Sequence, residues 1–285
     1  MVCAGEPGCS AISWICIYDA AMGPDIRRVA RAGSDPERSE PAEPIDLRAA
    51  WDDQSEAWTR WARAPMHDSY WRFGRTAFFQ LLPEPGRLTL DVGCGEGRVS
   101  RDLANLGHRV VGIDASRSMV QGAISTAPHI PALVADAAAM PFASGCSDLV
   151  VAYMSLQDMN RMPAAIRETG RVLAPGGHLC LAVVHPINSA GQFESLDPAA
   201  PFVIEGSYLD AHHYADAIER NGLRMTFTSI HHPLEAYFKA LEAAGFLTET
   251  LREVPIAEGL ASDASPRHER WRRLPLFLHM RAVRV

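Results

Sequence analysis

The residues best suited to chemistry in this chain are three acids and a run of glycines. In DVGCGEG, residues 91–97, Asp91 stands ahead of Gly93, Gly95 and Gly97, which fill every second position. Asp114 closes VVGID, and Asp136 lies in VADAAAMPF. Glycine admits positive φ and lets a ligand come within contact distance of the main chain, and a helix starting behind it contributes unpaired N–H donors. The dinucleotide fingerprint needs glycines at relative positions 1, 3 and 6. Here 1, 3 and 5 are filled and the sixth is Arg98, a side chain too large for close helix–strand packing. An acid before the turn suits a cation better than a phosphate chain. The turn therefore calls for a nucleoside carrying a positive, zwitterionic tail. Taken alone, Asp91 serves equally as a turn cap and Asp114 as the N-cap of a helix beginning near Ser116. At the ends of three successive strands, the acids point to one ligand site.

The elements that must position them follow an alternating pattern. Residues 88–93, 108–114, 131–136, 147–154 and 178–185 read as short apolar strands, with helices expected over 97–106, 116–126 and 161–173. Such strands alternating with helices indicate a parallel sheet covered on both faces, with ligands at its carboxyl edge. Helix 233–245 carries Leu234, Tyr237, Phe238 and Leu241 at helical spacing, with Pro233 at its start and Gly245 at its end. FLTETLREV and PLFLHMRAVRV read as two final strands, and the charged stretch PRHERWRR between them as a solvated surface.

Two regions break the rhythm. Residues 1–45, rich in Pro, Arg, Glu and Ser, are expected to be a disordered arm ahead of a single domain over 46–285. Residues 186–232 show turns, aromatics and histidines but no βα repeat, and are expected to form an inserted cap. Between 46 and 82, Trp51, Trp58, Trp61, Tyr70, Trp71, Phe73 and Phe78 form an aromatic stripe that suits N-terminal helices, either packed on the core or closing a pocket as a lid.

The 285 residues carry a formal net charge of -7, which opposes adhesion to nucleic acid or acidic membranes. Nearly all basic residues are arginine; Lys239 is the one lysine. The six cysteines show no C-x-x-C spacing, and free thiols in a reducing, cytoplasmic setting are expected. No apolar run is long enough to span a bilayer.

DVGCGEG at 91–97 resembles motif I of the class I S-adenosylmethionine-dependent methyltransferases. Asp114 matches that family's ribose-binding acid and Asp136 the acid after the third strand that contacts adenine. Residues 152–159, AYMSLQDM, resemble the segment reaching back to the methionine moiety, and RVLAPGGHLCLAV the turn into the fifth strand. The resemblance implies an α/β, Rossmann-like fold: a seven-stranded, mostly parallel sheet with helices on both faces, an N-terminal helical lid and a cap after the fifth strand. It implies S-adenosyl-L-methionine as cofactor, S-adenosyl-L-homocysteine as product, and cofactor contacts from Asp91, Gly93, Gly95, Asp114, Ala115, Met119, Asp136, Ala137 and Met154. Met140 is expected to pack on adenine. The activity implied is methyl transfer to a small-molecule acceptor in specialised metabolism; the alternative is a non-catalytic cofactor-binding partner protein.

A protic acceptor needs a general base. His185, directly after the fifth strand, and His231, at the end of the cap beside His232, are the expected candidates, with His212 and His213 less well placed; Glu205 and Tyr208 are expected at most to hydrogen-bond a substrate. No fixed metal-ligand spacing is present, and no metal, nucleic acid or membrane partner is expected.

Overall fold

A computed structural model of the chain describes residues 26–28 (main chain), 45–204, 206–256 and 269–285. Of the arm expected over 1–45, only Ile26–Arg28 and Ile45 fall within these residues, and Glu205 lies outside them.

The main sheet has seven strands in the order β11-β12-β6-β5-β2-β3-β4. They are β2 (Thr89–Val92), β3 (Val110–Asp114), β4 (Ala132–Val134), β5 (Ser147–Tyr153), β6 (Leu173–Val184), β11 (Phe246–Val254) and β12 (Phe277–Arg284); β1 is the short strand Ile26–Arg28. Pairings from β4 through β6 are parallel. β12 enters antiparallel between β6 and β11.

Period-two alternation explains why the strands read as continuous apolar runs. On β5, Val150 and Ala152 face one cluster, with Met162, Ala165 and Ile166 of α6 (Met162–Val172) and Tyr237, Ala240 and Leu241 of α8 (Leu234–Ala243). Leu149, Val151 and Tyr153 face the other, with Phe78 of α3 (Arg75–Phe79) and Val99 and Leu103 of α4 (Arg98–Asn105); α5 (Arg117–Thr126) follows β3. A strand buried on both faces shows no polar alternation.

The cap is β-rich. After α7 (Pro186–Ala190), β7 (Gly191–Phe193) pairs with β8 (Phe202–Ile204). A long hairpin follows, β9 (His212–Arg220) and β10 (Leu223–His231), turning through Asn221 and Gly222, both at positive φ. That two-residue turn matches the right-handed twist of the strands. β1 pairs antiparallel with β9.

The stretch expected as a solvated surface is partly interior. Trp271 is 2% exposed and meets Phe193 at 4.9 Å between ring centroids, while Arg270, also 2% exposed, donates to the Ser195 carbonyl at 2.5 Å. The indole packs against Phe193 of β7 and Phe202 of β8. Pro266 to His268 lie outside the described residues.

The N-terminal helices α1 (Leu47–Asp53) and α2 (Ser55–Arg63) lie against β10. Asp46 caps α1 by accepting from the Arg48 and Ala49 amides. Asn160, beyond β5, holds the same end: its Oδ1 accepts from Leu47 N at 3.0 Å and its Nδ2 donates to Ile45 O at 2.8 Å. Trp51 Nε1 donates to Thr228 O at 3.0 Å, and Gln54 Oε1 accepts from Thr226 N at 3.1 Å. α2 is also fastened to the glycine turn, where Arg63 donates to Glu96 at 2.9 Å.

Candidate active site

A cavity of about 330 Å³ opens at the carboxyl edge of the sheet. Its floor is the turn after β2. Gly95 has φ +55°, and a Cβ there would come within 3.1 Å of Trp58 Nε1, so its bare main chain faces the space under the indole. Gly93 is required for a different reason: a Cβ would overlap Ser155 at 2.4 Å. Asp114 lines the cavity at the end of β3. Its Oδ2 accepts from Gly95 N at 2.8 Å and its Oδ1 from Ser116 N at 2.9 Å. Removal from water pushes its carboxyl above the ordinary range, opposed by the amides of Ser116, Gly95 and Ala115.

Gly93, Gly95, Asp114, Ala115, Met119, Asp136, Ala137 and Met154 all line this cavity. Met154 does so at φ +54°, a conformation costly for a side chain with a Cβ. Asp136 stands at the rim, half exposed. Its Oδ1 accepts from Ala138 N at 2.8 Å, and Arg161 pairs with its other oxygen. Asp91 is not on the lining. It is 1% exposed, behind the turn, accepting from Ser100 Oγ at 2.5 Å, and burial pushes its carboxyl up to about 7. Met140 is likewise in the core, 4% exposed, rather than on the cavity wall.

Neither histidine named as a base reaches the cavity. His185 caps α7: its Nδ1 accepts from Ile187 N at 3.1 Å, and Nε2 meets Glu253 Oε1 at 3.1 Å. His231 is fully buried, with Nδ1 2.7 Å from Ser189 Oγ and Nε2 2.8 Å from Tyr208 O. Both rings are held by structural partners at both nitrogens. Tyr208 spends its hydroxyl accepting from Leu234 N at 3.0 Å. His212, His213 and His232 are also absent from the lining. Among the described residues, no group of three or more His, Cys, Asp or Glu could hold a metal ion.

Other charged and aromatic groups border the cavity. Arg98, the residue that spoils the dinucleotide fingerprint, lines the cavity from the first turn of α4. Its guanidinium is 2.6 Å from Asp68 Oδ2, and both side chains are almost fully buried. It lies 4.7 Å from the Trp58 ring and 4.3 Å from the Tyr70 ring, within cation–π range. Beneath it, Asp102 accepts from Tyr70 Oη and Arg75 Nε, each at 2.6 Å. The roof combines Trp51, Trp58 and Phe227, whose rings meet edge to face at 5.8 to 6.2 Å. Asp158, in the loop after β5, lines the cavity below Ser229 of β10 and accepts from its hydroxyl at 2.6 Å. The aromatic stripe thus divides: Trp51, Trp58 and Tyr70 border the cavity, whereas Trp61, Phe73 and Phe78 are core. No local motif marks Asp68 or Asp158, because each depends on a partner distant in sequence.

The residues present fit S-adenosylmethionine. A carboxylate at the second strand tip, bare main chain at the first and a partly apolar chamber beyond match a nucleoside, its amino-acid tail and a space for an acceptor. The strand order, with one antiparallel strand inserted beside the edge, and this site define a class I S-adenosylmethionine-dependent methyltransferase, and the chain belongs to that family. Residues 90–181 match the methyltransferase domain family. The chain is 32% identical over 197 residues to a demethylmenaquinone methyltransferase of Beutenbergia cavernae, covering 68% of this chain and 70% of that one. It is 28% identical over 158 residues to the O-methyltransferase resE of Aspergillus sclerotiorum, covering 48% of this chain and 60% of that relative. The S-adenosylmethionine-dependent methyltransferase of Mesorhizobium loti shares the fold, with a TM-score of 0.61 at 24% identity over 75% of this chain and 97% of that one.

Proposed function

We propose that this methyltransferase acts on a small, partly apolar acceptor held beneath the β9–β10 hairpin. The observation that carries the reading is the continuity of one cavity. Asp114, Gly95 and Asp136 border it, and so do Trp51, Trp58, Phe227 and Ser229 of the lid and cap.

In this reading Asp114 accepts from the ribose hydroxyls, with Ala115 and Met119 beside it. Asp136 and Ala137 border the adenine. The main chain of Gly93 and Gly95 seats the amino-acid tail, with Asp91 behind the turn as a positioning group, and Met154 faces the methionine portion. When bound, the cofactor supplies an electrophilic methyl group. The chain's own part is to hold the acceptor in line and to exclude water with α1, α2 and the hairpin; positioning of this kind lowers a barrier by several kcal/mol.

The names of the two relatives, one a demethylmenaquinone methyltransferase and one an O-methyltransferase, agree with a small organic acceptor. A nucleic-acid acceptor is disfavoured by the net charge of -7 and by the pairing of Arg63, Arg98 and Arg161 with acids. Among the described residues no helix is long and apolar enough to cross a membrane. The free thiols of Cys94, Cys146 and Cys180 support a reducing, cytoplasmic setting. Residues 46–285 act as one domain, with 186–232 as its cap.

Calorimetric titration with S-adenosylmethionine, S-adenosylhomocysteine and NAD tests the reading. The first two bind and NAD does not. Asp114→Ala weakens both by about 1–3 kcal/mol, roughly 5- to 150-fold, through loss of a charge-assisted acceptor. Unchanged affinity in that variant removes Asp114 from the ribose site.

A further inference from the structure

The cavity holds one carboxyl group whose surroundings set it apart. Asp158 ends the 3-10 turn Leu156–Asp158 between β5 and α6, half-buried on the cavity wall. Its Oδ1 is fixed by the Ser229 hydroxyl at 2.6 Å, whereas Oδ2 has no hydrogen-bond partner among the described residues. Phe227 and Ser229 are two apart on β10 and so share one strand face, the face that roofs the cavity. The acid therefore sits beside the strand face that carries Phe227, on the wall of the cavity that Trp51 and Trp58 also line.

The other acids of the site are committed elsewhere. Asp114 accepts from main-chain amides, Asp136 pairs with Arg161, Asp68 pairs with Arg98, and Asp46 caps α1. Asp114, from β3, acts on Asp158 across the space, and Asp158 in turn adds to burial in raising the Tyr237 phenol of α8, which lies in the core. Removal from water pushes the Asp158 carboxyl well above the carboxylate range, the Asp114 charge adds to this, and the Ser229 hydroxyl opposes it. A carboxylate with raised proton affinity is a better base than an exposed one.

Resting on the reading above, we propose that Asp158 is the general base of this enzyme and that the acceptor is a planar aromatic ring bearing a hydroxyl group. The ring lies among Trp51, Trp58 and Phe227, and its O–H donates to Asp158 Oδ2. As the oxygen–methyl bond forms and the sulfur–methyl bond breaks, the sulfur keeps that bond's electron pair and the hydroxyl proton passes to Asp158. An anionic ring substituent beside Asp158 is repelled. A protonated amine has no lone pair to offer the methyl group.

The test is calorimetric titration of phenol, catechol and 2-naphthol into protein saturated with S-adenosylhomocysteine, across pH 5 to 9, with benzylamine as the cationic control. At least one phenol binds the wild type, and binding tightens as rising pH ionises Asp158. Asp158→Asn weakens that phenol tenfold or more and flattens the pH dependence, while S-adenosylhomocysteine affinity stays within twofold. Ser229→Ala keeps the carboxyl group but removes the hydroxyl that favours its ionised form, so the profile moves to higher pH without flattening. Equal phenol affinity and pH profile in Asp158→Asn, an unmoved profile in Ser229→Ala, or binding of benzylamine in place of every phenol overturns the proposal. Those results leave cofactor binding standing. Failure to bind S-adenosylhomocysteine would instead remove the methyltransferase reading on which the proposal rests.

Discussion

Replacing Asp68 with leucine strands a charge. Arg98 is only 8% exposed, with Asp68 Oδ2 at 2.6 Å as its carboxylate partner, and its other neighbours are the faces of Trp58 and Tyr70. Breaking a buried ion pair from one side costs about 3–5 kcal/mol, because the remaining charge is uncompensated. Arg98 also lines the cavity, so water admitted there recovers part of that cost, and the lower end, about 3 kcal/mol, is expected. At roughly 2–4 °C per kcal/mol for a domain of this size, the melting temperature falls by about 6–12 °C. Arg98→Met alone costs a similar amount, since it leaves Asp68 buried without its partner. The double variant Asp68→Leu/Arg98→Met removes both charges and costs clearly less than the sum, as replacing both members of a buried pair often does. Urea unfolding of the four proteins gives the cycle. Additive costs, or a loss under about 0.5 kcal/mol for Asp68→Leu, would refute the view that the pair is desolvated and mutually dependent.

Three further outcomes are expected. His279 is fully buried among Phe78, Tyr153 and Phe277, neither ring nitrogen has a partner among the described residues, and burial lowers its pKa from 6.5 to about 4. The unfolded chain then binds the extra proton between those values, so stability falls as pH drops from about 6.5 to 4, by at most about 3 kcal/mol from this residue. His279→Leu should flatten the curve measured by chemical unfolding over that interval. His231→Ala removes the bridge between Ser189 and Tyr208 and should cost about 1–3 kcal/mol of stability, with cofactor affinity unchanged by calorimetry; a variant with full stability and no turnover would return His231 to the chemistry. Gly95→Ala places a Cβ 3.1 Å from Trp58 Nε1 at φ +55°, a strain of about 1–2 kcal/mol, and should weaken S-adenosylhomocysteine binding while shifting Trp fluorescence.

How much of this was legible in the sequence depends on how local each signal is. The glycine turn, Asp114 and Asp136 each sit at the end of a short apolar strand, so pattern and spacing place them together. The two closing strands and α8 carry their own periodicity and boundary residues. The cap hairpin carried a signal too, Asn221-Gly222, yet its inward positions on β9 include Asp216 and Arg220 beside Tyr214 and Ile218. Those polar residues erase the hydrophobic alternation that would have announced a strand. His185 and His231 stood out as residue types, but their ring nitrogens are taken by α7, Glu253, Ser189 and Tyr208, contacts that no spacing reveals. Asp158 depends on Ser229, 71 residues away, and Arg98 on Asp68, 30 residues away. Only the folded chain brings these partners together.

The most direct test of the central claim is a crystal structure of the protein grown with S-adenosylhomocysteine. The ribose hydroxyls should lie within hydrogen-bond distance of the Asp114 carboxylate, the amino-acid tail against the main chain of Gly93 and Gly95, and the sulfur turned toward the chamber bounded by Asp158, Trp51 and Phe227. A nucleoside lodged elsewhere, or an Asp114 carboxylate that contacts only its own backbone partners in the complex, would contradict the account.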